Sequence, residues 1–432
     1  MNKKADIVII GAGISGCAAA QELQANDVEY LLLEKNVEPG GLTRSISVGD
    51  AHFDYTGHYL HLSKYKSPAE LPHANQDDKD WQLIERRSVV YFEGTIVPAP
   101  FQYNLFALPE DVRRSCIENY RNRPKAENPK SLRDYLISGF GSKICETFLF
   151  PYTEKQLATS LVNLAIEAVN RFFPYPDERK IEEGCANIRN RVPLGYNTCF
   201  WYPKKEGIGL LAKGLAKGLT NLSTCCILDR IDLKRKCIYS SQGIIEYNKL
   251  VSSMPLKNLC AITNDSDLQL AGERLKHNRV LCLNLLCNSP FSRDFEQPHW
   301  IYVPDKSVPF YRVGFYSHFD RSYVPLGKTA MYVERAFNGE EPLPDITKMV
   351  NEMLLGLEQL SWMKRTDCSV ISANWIDCAY VHFDHHRKET VSQILDILRE
   401  VDVYPIGRYG LWDYNSMEDS VFSGMEVAKK LL

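Results

Sequence analysis

No stretch of this sequence stays apolar over the ~18 residues that a membrane-crossing helix requires, so no transmembrane segment is expected. A surplus of positive charge is missing too: 51 Lys and Arg stand against 54 Asp and Glu, a formal net charge of −3. That balance offers no field to draw in nucleic acid or an anionic membrane, and it points to a small-molecule partner. The 13 cysteines include no Cys-x-x-Cys pair and no metal-type spacing. This excludes a disulfide framework and a zinc module, and it fits a reduced, soluble, cytoplasmic protein. The N-terminal apolar run, about four residues before glycines interrupt it, is too short for the core of a secretion signal. Neither an internal repeat, a low-complexity tract, a P-loop nor a Ser-His-Asp pattern is present.

What is present begins at once. The β-branched run "DIVII" leads into Gly11-Ala12-Gly13-Ile14-Ser15-Gly16 and then the helical pattern "CAAAQELQAND". Strand, G-x-G-x-x-G and helix in that order form a dinucleotide fingerprint. The first glycine permits the turn, the second lets backbone approach a pyrophosphate, the third lets helix pack on strand, and the helix N-terminus supplies amides. A second strand, "EYLLLEK", ends in Glu34, 18 residues past Gly16, where a carboxylate suits ribose hydroxyls and a free 2′-OH.

The 432 residues leave room for two or three units. Residues 104–200 carry helical patterns, with Ser131 a candidate cap and Leu132, Tyr135, Leu136 and Phe140 on one face. Residues 225–256 read as short strands with turns between them, and Cys225-Cys226 as strand packing. "RVLCLNLLC", "HWIYV", "FYRVGFY" and "TAMYVER" read as strands of a second sheet, and "DITKMVNEMLLGLEQL" as an amphipathic helix covering it. A last helix is expected to start near Ser416. The histidines of "HFDHH" (His382, His385, His386) invite a metal, but adjacent strand positions face opposite ways and no metal site is expected.

Gly40-Gly41-Leu42 resembles the second glycine pair of the FAD-containing superfamily of amine oxidases, protoporphyrinogen oxidases and UDP-galactopyranose mutases. The amine oxidases usually carry Arg where Leu42 stands, and the mutases Leu. "VPAPFQYNL", "FPYTEKQLA", "HWIYVPDKSVPFYRVGFYS" and "GRYGLWDY" resemble segments of UDP-galactopyranose mutase, closest to its longer branch. The resemblance implies an α/β fold in which an FAD-binding Rossmann-like domain of the glutathione-reductase type (1–85, 203–275 and 390–432) is interleaved with other units. These are an antiparallel substrate-binding sheet (86–102 and 276–389) and a helical subdomain (103–202). It implies a pyranose–furanose mutase acting on a nucleotide sugar, with N5 of reduced FAD as nucleophile at the anomeric carbon and NADPH or NADH as reductant. The oligomeric state is not legible.

Residue by residue, the resemblance implies cofactor contacts from Gly11, Gly13, Ile14, Ser15, Gly16, Glu34, Lys35, Gly40, Gly41, Leu42, Met254, Arg408, Met417 and Ser420. Gly57-His58 matches a loop over the isoalloxazine ring, although a core histidine is the alternative. Arg312 matches a diphosphate clamp, a task suited to a rigid donor fork, or it pairs with a surface carboxylate. Trp300 and Tyr302 match pocket aromatics, Tyr380 and Tyr414 diphosphate-binding tyrosines, and Phe101 and Gln102 the nucleobase site. One position departs: Trp201 stands where the family has a second diphosphate arginine, with Lys204 or Lys205 as nearby cations. That departure keeps a second class open, an FAD-dependent oxidoreductase of the amine oxidase or protoporphyrinogen oxidase kind with net substrate oxidation.

Overall fold

The computed structural model describes residues 3–169, 176–186, 198–289, 291, 297–320 and 323–432. The parts of the expected helical unit at 170–175 and 187–197 lie outside the described residues.

The apolar run Ile7 to Ile10 has nowhere to face water: Lys3–Ile10 is the central strand of a seven-stranded sheet and these four side chains are at most 4% exposed. Tyr30–Leu33 and Gly243–Ser252 flank it in parallel, Leu222–Ser223 pairs outside Tyr30–Leu33, and Val403–Pro405 runs parallel to the end of Gly243–Ser252. An antiparallel meander, Leu228–Asp232 and Cys237–Ser240, completes it. The N-terminus, the middle and the C-terminal region of the chain thus share one sheet. Such parallel strands, covered on both faces by helices, read as continuous apolar runs. Cys225 departs from the sequence reading: it is an exposed residue at φ 54° outside any strand, because the backbone there turns to donate from Cys225 to Asn36 and from Cys226 to Glu34.

The second sheet also has seven strands, in the order Cys368–Ile376, Asn278–Cys287, Thr329–Asn338, Arg312–Phe315, Trp300–Tyr302, Ser88–Phe92, Thr95–Pro98. All neighbours are antiparallel, as expected, except Trp300–Tyr302 and Ser88–Phe92, which run parallel. Two chain segments, one from before and one from after the helical unit, meet there side by side. Thr329–Asn338 divides its side chains with period two. Met331 and Val333 pack under helix Ile346–Gln359 through Met349, Met353 and Leu357, while Ala330 and Tyr332 join the core of the first sheet.

In chain order, helices Glu110–Arg121, Leu132–Phe140 and Phe150–Leu157 follow strand Thr95–Pro98 and precede strand Cys199–Pro203. Ser131 caps Leu132–Phe140 by accepting from the Asp134 amide, and Leu132, Leu136 and Phe140 are fully buried. Strand Cys199–Pro203 and helix Arg387–Glu400 run through positions 203 and 390, where the sequence reading divides the units. Among the described residues no helix is long and apolar enough to cross a membrane.

Candidate functional site

The glycine-rich turn has the shape a dinucleotide needs. Gly11 has φ 89° and its amide donates to Leu33 O at 2.7 Å, and a Cβ on Gly16 would fall 1.9 Å from Gly11 O. A Cβ on Gly13, by contrast, would meet nothing within 4 Å. The middle glycine therefore faces open space, a cradle that a side chain would fill. Glu34, 4% exposed, stiffens the turn by accepting from the Ala12 amide (2.8 Å) and from the amide and side chain of Asn36. Gly40 donates to Ala12 O, bringing Gly41 and Leu42 against the same loop. Ile14 and Ser15 are buried in the first helical turn, and Lys35 is exposed just beyond Glu34.

Gly57-His58 stands where this loop meets the second sheet. The imidazole is hydrogen-bonded to the Leu42 backbone, and its Nδ1 is buried without a partner. Burial pushes the His58 pKa down to about 4; the Glu334 carboxylate opposes that, and the cations of Arg408 and Arg312 add to it. His58 is thus a neutral ring with one nitrogen unsatisfied. The glycine before it has a reason the sequence did not show. A Cβ at 57 would lie 2.5 Å from the Tyr332 ring, and one at Gly314 only 2.1 Å from it, so Tyr332 lies between two backbones that must lack side chains.

Glu334 is the hub. Fully buried, it accepts from Thr56 Oγ1 (2.6 Å), from Tyr311 OH (2.7 Å) and from Arg312, whose Nε and Nη2 stand 2.7 and 2.6 Å from the same carboxylate oxygen. The pair is fixed by register, since Arg312 lies directly opposite Glu334 on adjacent strands. Arg312 does pair with a carboxylate, then, but with a buried one that aims the guanidinium and leaves Nη1 available. Arg408 stands over the rings of Tyr414 (4.9 Å) and Tyr380 (5.8 Å) and donates to Asn415 O. Tyr59 stacks on Trp300 at 4.7 Å and shares a 2.5 Å hydrogen bond with Tyr332, while Tyr302 reaches Trp300 and Tyr152 edge-on.

Other expected residues lie differently. Tyr414 donates its hydroxyl to Val381 O at 2.8 Å, so its single proton is committed to the backbone. Phe101 is fully buried and stacked on Phe148, a core residue one aromatic layer behind Tyr152, and Gln102 is buried beside it. Trp201 bridges to Leu60 through its backbone. Lys204 and Lys205 are exposed, and Lys204 donates to Lys79 O, so neither joins Arg312. Met254 is half-buried after the strand Gly243–Ser252. Met417 and Ser420 sit in the first turn of helix Met417–Leu431, whose cap is a reciprocal Ser416–Asp419 box. In the "HFDHH" segment, His382 and His385 bond the carbonyls of Leu157 and Val162, tying this turn to the helical unit.

Sequence reasoning missed Glu334, Tyr332, Tyr59, Asp54 and Glu418. A signal for Glu334 existed, since an acid alternating with Tyr332 in an apolar strand should be buried and paired. Glu418 accepts from the amides of Ser63, Lys64 and Tyr65 and from Ser63 Oγ, fastening the chain that follows Gly57-His58 to the last helix.

A family model, NAD(P)-binding Rossmann-like domain, matches residues 9–70. The 1-hydroxycarotenoid 3,4-desaturase of a Flavobacterium species is 28% identical over 138 residues, 29% of this chain and 27% of that protein. Amine oxidase [flavin-containing] B of Sus scrofa is 28% identical over 186 residues, 39% of this chain and 34% of that protein. The chain therefore matches only about a third or less of the length of these curated relatives. Over nearly its whole length it superposes on reduced UDP-galactopyranose mutase, with TM-score 0.90, 24% identity, and coverage of 99% of this chain and 95% of that one. A putative protoporphyrinogen oxidase from Exiguobacterium superposes with TM-score 0.74 at 14% identity, covering 99% and 98%. The fold is the one seen in these two solved structures, and it lies nearer to the arrangement of the mutase.

Proposed function

We propose that the protein is an FAD-dependent pyranose–furanose mutase acting on a nucleotide sugar. The observation that carries this reading is the cluster of two guanidinium groups and tyrosine rings gathered around His58, beside the glycine-rich loop. Arg312 is held in one pose by Glu334, with Arg408 near the same histidine and Tyr380 beneath its guanidinium. A cation aimed by a buried carboxylate suits a diphosphate and would repel an amine. The open space at Gly13 and the orphaned Nδ1 of His58 fit a dinucleotide whose reactive ring lies against residues 57–58.

In this reading Gly11, Gly13, Gly16 and the Ile14–Ser15 turn hold the pyrophosphate. Glu34 holds a ribose, Leu42 and His58 border the ring, and Met254, Arg408, Met417 and Ser420 close the far side. FAD held there in its reduced form, with NADPH or NADH as the initial source of electrons, would supply a nucleophilic ring nitrogen and would not be consumed by turnover. The chain supplies the rest. Arg312 Nη1 and the Tyr380 hydroxyl orient the diphosphate and stabilise the charge it gains on leaving, and Tyr302 and Trp300 line the pocket beside the sugar. Arg408 maintains the positive field, and neutral His58 offers Nδ1 as a hydrogen-bond partner at the ring edge.

A second reading, net oxidation by an amine oxidase- or desaturase-like enzyme, has one observation in its favour. By the resemblance Trp201 stands where a second diphosphate arginine is expected, and the nearby Lys204 and Lys205 are exposed and do not make up for it. A thermal-shift panel separates the two. UDP, dTDP or GDP at 100 times its Kd should stabilise the holoprotein by about 2.7 kcal/mol, and Arg312→Met should abolish that gain. Stabilisation by amines or apolar lipids and by no diphosphate would overturn the mutase reading.

A further inference from the structure

At the far edge of the second sheet, Cys287 is the last residue of strand Asn278–Cys287 and Cys368 the first of strand Cys368–Ile376. The two lie directly opposite each other at the end of the antiparallel ladder, with their sulfurs 2.7 Å apart. Directly opposed residues on antiparallel strands have Cα atoms ~4.5–5.5 Å apart, inside the span that a disulfide bridges without backbone movement. Cys287 is fully buried, whereas Cys368 is partly exposed and follows the exposed turn Arg365–Asp367. One sulfur is therefore open to attack from solvent and its partner is sheltered in contact with it.

We propose that Cys287 and Cys368 form a reversible redox pair, oxidised by peroxide to a cross-strand disulfide that fastens the outer strand of the substrate-side sheet. The Cys368 thiolate attacks one oxygen of hydrogen peroxide, giving a sulfenic acid and, with one proton, water. The Cys287 thiol then attacks the sulfenic sulfur, forming the S–S bond and releasing a second water. Two thiols lose two electrons and peroxide gains them; a dithiol reverses the step by exchange. Exposure assigns the roles: solvent reaches the Cys368 sulfur, and the buried Cys287 sulfur lies behind it to resolve the sulfenic acid.

The strand fastened in this way reaches the site. Asn374 donates to Tyr55 O at 2.9 Å, two residues before Gly57, and Ser372 receives the Asn284 side chain. The closed loop spans 81 residues, so the bond removes much chain entropy from the unfolded state.

The test uses the full-length holoprotein treated with equimolar hydrogen peroxide, followed by intact mass and non-reducing peptide mapping. The expected result is a loss of about 2 Da, a linked peptide joining Cys287 to Cys368, a Tm raised by roughly 5 °C, and full reversal by dithiothreitol. Cys287→Ser should stop at a dimedone-reactive Cys368, and Cys368→Ser should show no reaction at 287. Oxidation that leaves these two cysteines unlinked in the wild type would overturn the proposal, whether either variant folds or not.

Discussion

Two buried carboxylates flank the Gly57-His58 turn, and they are held in opposite ways. Asp54 is surrounded by neutral donors, Ser45 Oγ (2.6 Å), Tyr202 OH (2.6 Å) and the Ile208 amide (2.9 Å), and burial raises its pKa to about 7 despite them. Glu334, equally buried, faces a guanidinium that donates twice to one oxygen. One acid ties loops together with neutral hydrogen bonds, and the other fixes a cation beside the rings of Tyr311 and Tyr332. Burial alone therefore does not set what a carboxylate does; the charge of its partner does.

Removing that partner should have the largest effect. Arg312→Met leaves Glu334 as an uncompensated buried charge and should cost ~3–5 kcal/mol of stability in urea unfolding, along with diphosphate binding. Arg312→Met combined with Glu334→Gln should recover most of the stability and none of the binding. If binding returned with stability, Arg312 would be a structural partner only.

The same comparison predicts a pH effect at Asp54. Its folded pKa is raised above the ordinary 3.8, so the folded state binds a proton more tightly than the unfolded one. Its contribution to stability is therefore present at about pH 4 and is lost as pH rises to about 7, by up to ~4 kcal/mol. His58 and His382, both depressed to about 4, run the other way, gaining stability as pH rises from about 4 to the ordinary 6.5. The difference between wild type and Asp54→Asn, followed by urea midpoint from pH 4 to 8, isolates the carboxylate. Parallel profiles would contradict this assignment.

Gly57→Ala should cost ~1–3 kcal/mol, because the new methyl meets the Tyr332 ring wedged between two glycines. Smallest of all should be Tyr414→Phe. Its hydroxyl serves Val381 O, so the change should cost ~1 kcal/mol of stability and leave KM unaltered, whereas Tyr380→Phe should raise KM.

How much of this was legible follows the range of the interactions. The glycine-rich turn, Glu34, the Ser131 and Ser416 caps and helix Ile346–Gln359 are local patterns, and the chain displays them. The hub is not local: Gly57 and Glu334 are 277 residues apart, and only sheet register brings them together. Tyr414 could be placed near the site by its neighbours in "GRYGLWDY", but the direction of its proton depends on a carbonyl 33 residues away. The strand Cys368–Ile376 alternates from Ile371 to Trp375 but falls out of step at Val370-Ile371, where the ladder with Asn278–Cys287 is irregular, and its pairing went unseen. The resemblance puts Gly57 in a loop over a cofactor ring, and the structure shows what the sequence did not, that Tyr332 fills the space a side chain there would need.

The central claim is that the chain isomerises a nucleotide sugar with no net redox change. Anaerobic incubation of the dithionite-reduced holoprotein with UDP-, dTDP- and GDP-hexopyranoses, followed by proton NMR, tests it directly. The account predicts a furanose isomer formed only by the reduced protein, with the flavin absorbance unchanged over many turnovers. Flavin reduction in step with substrate oxidation, and no furanose from any of these donors, would contradict it.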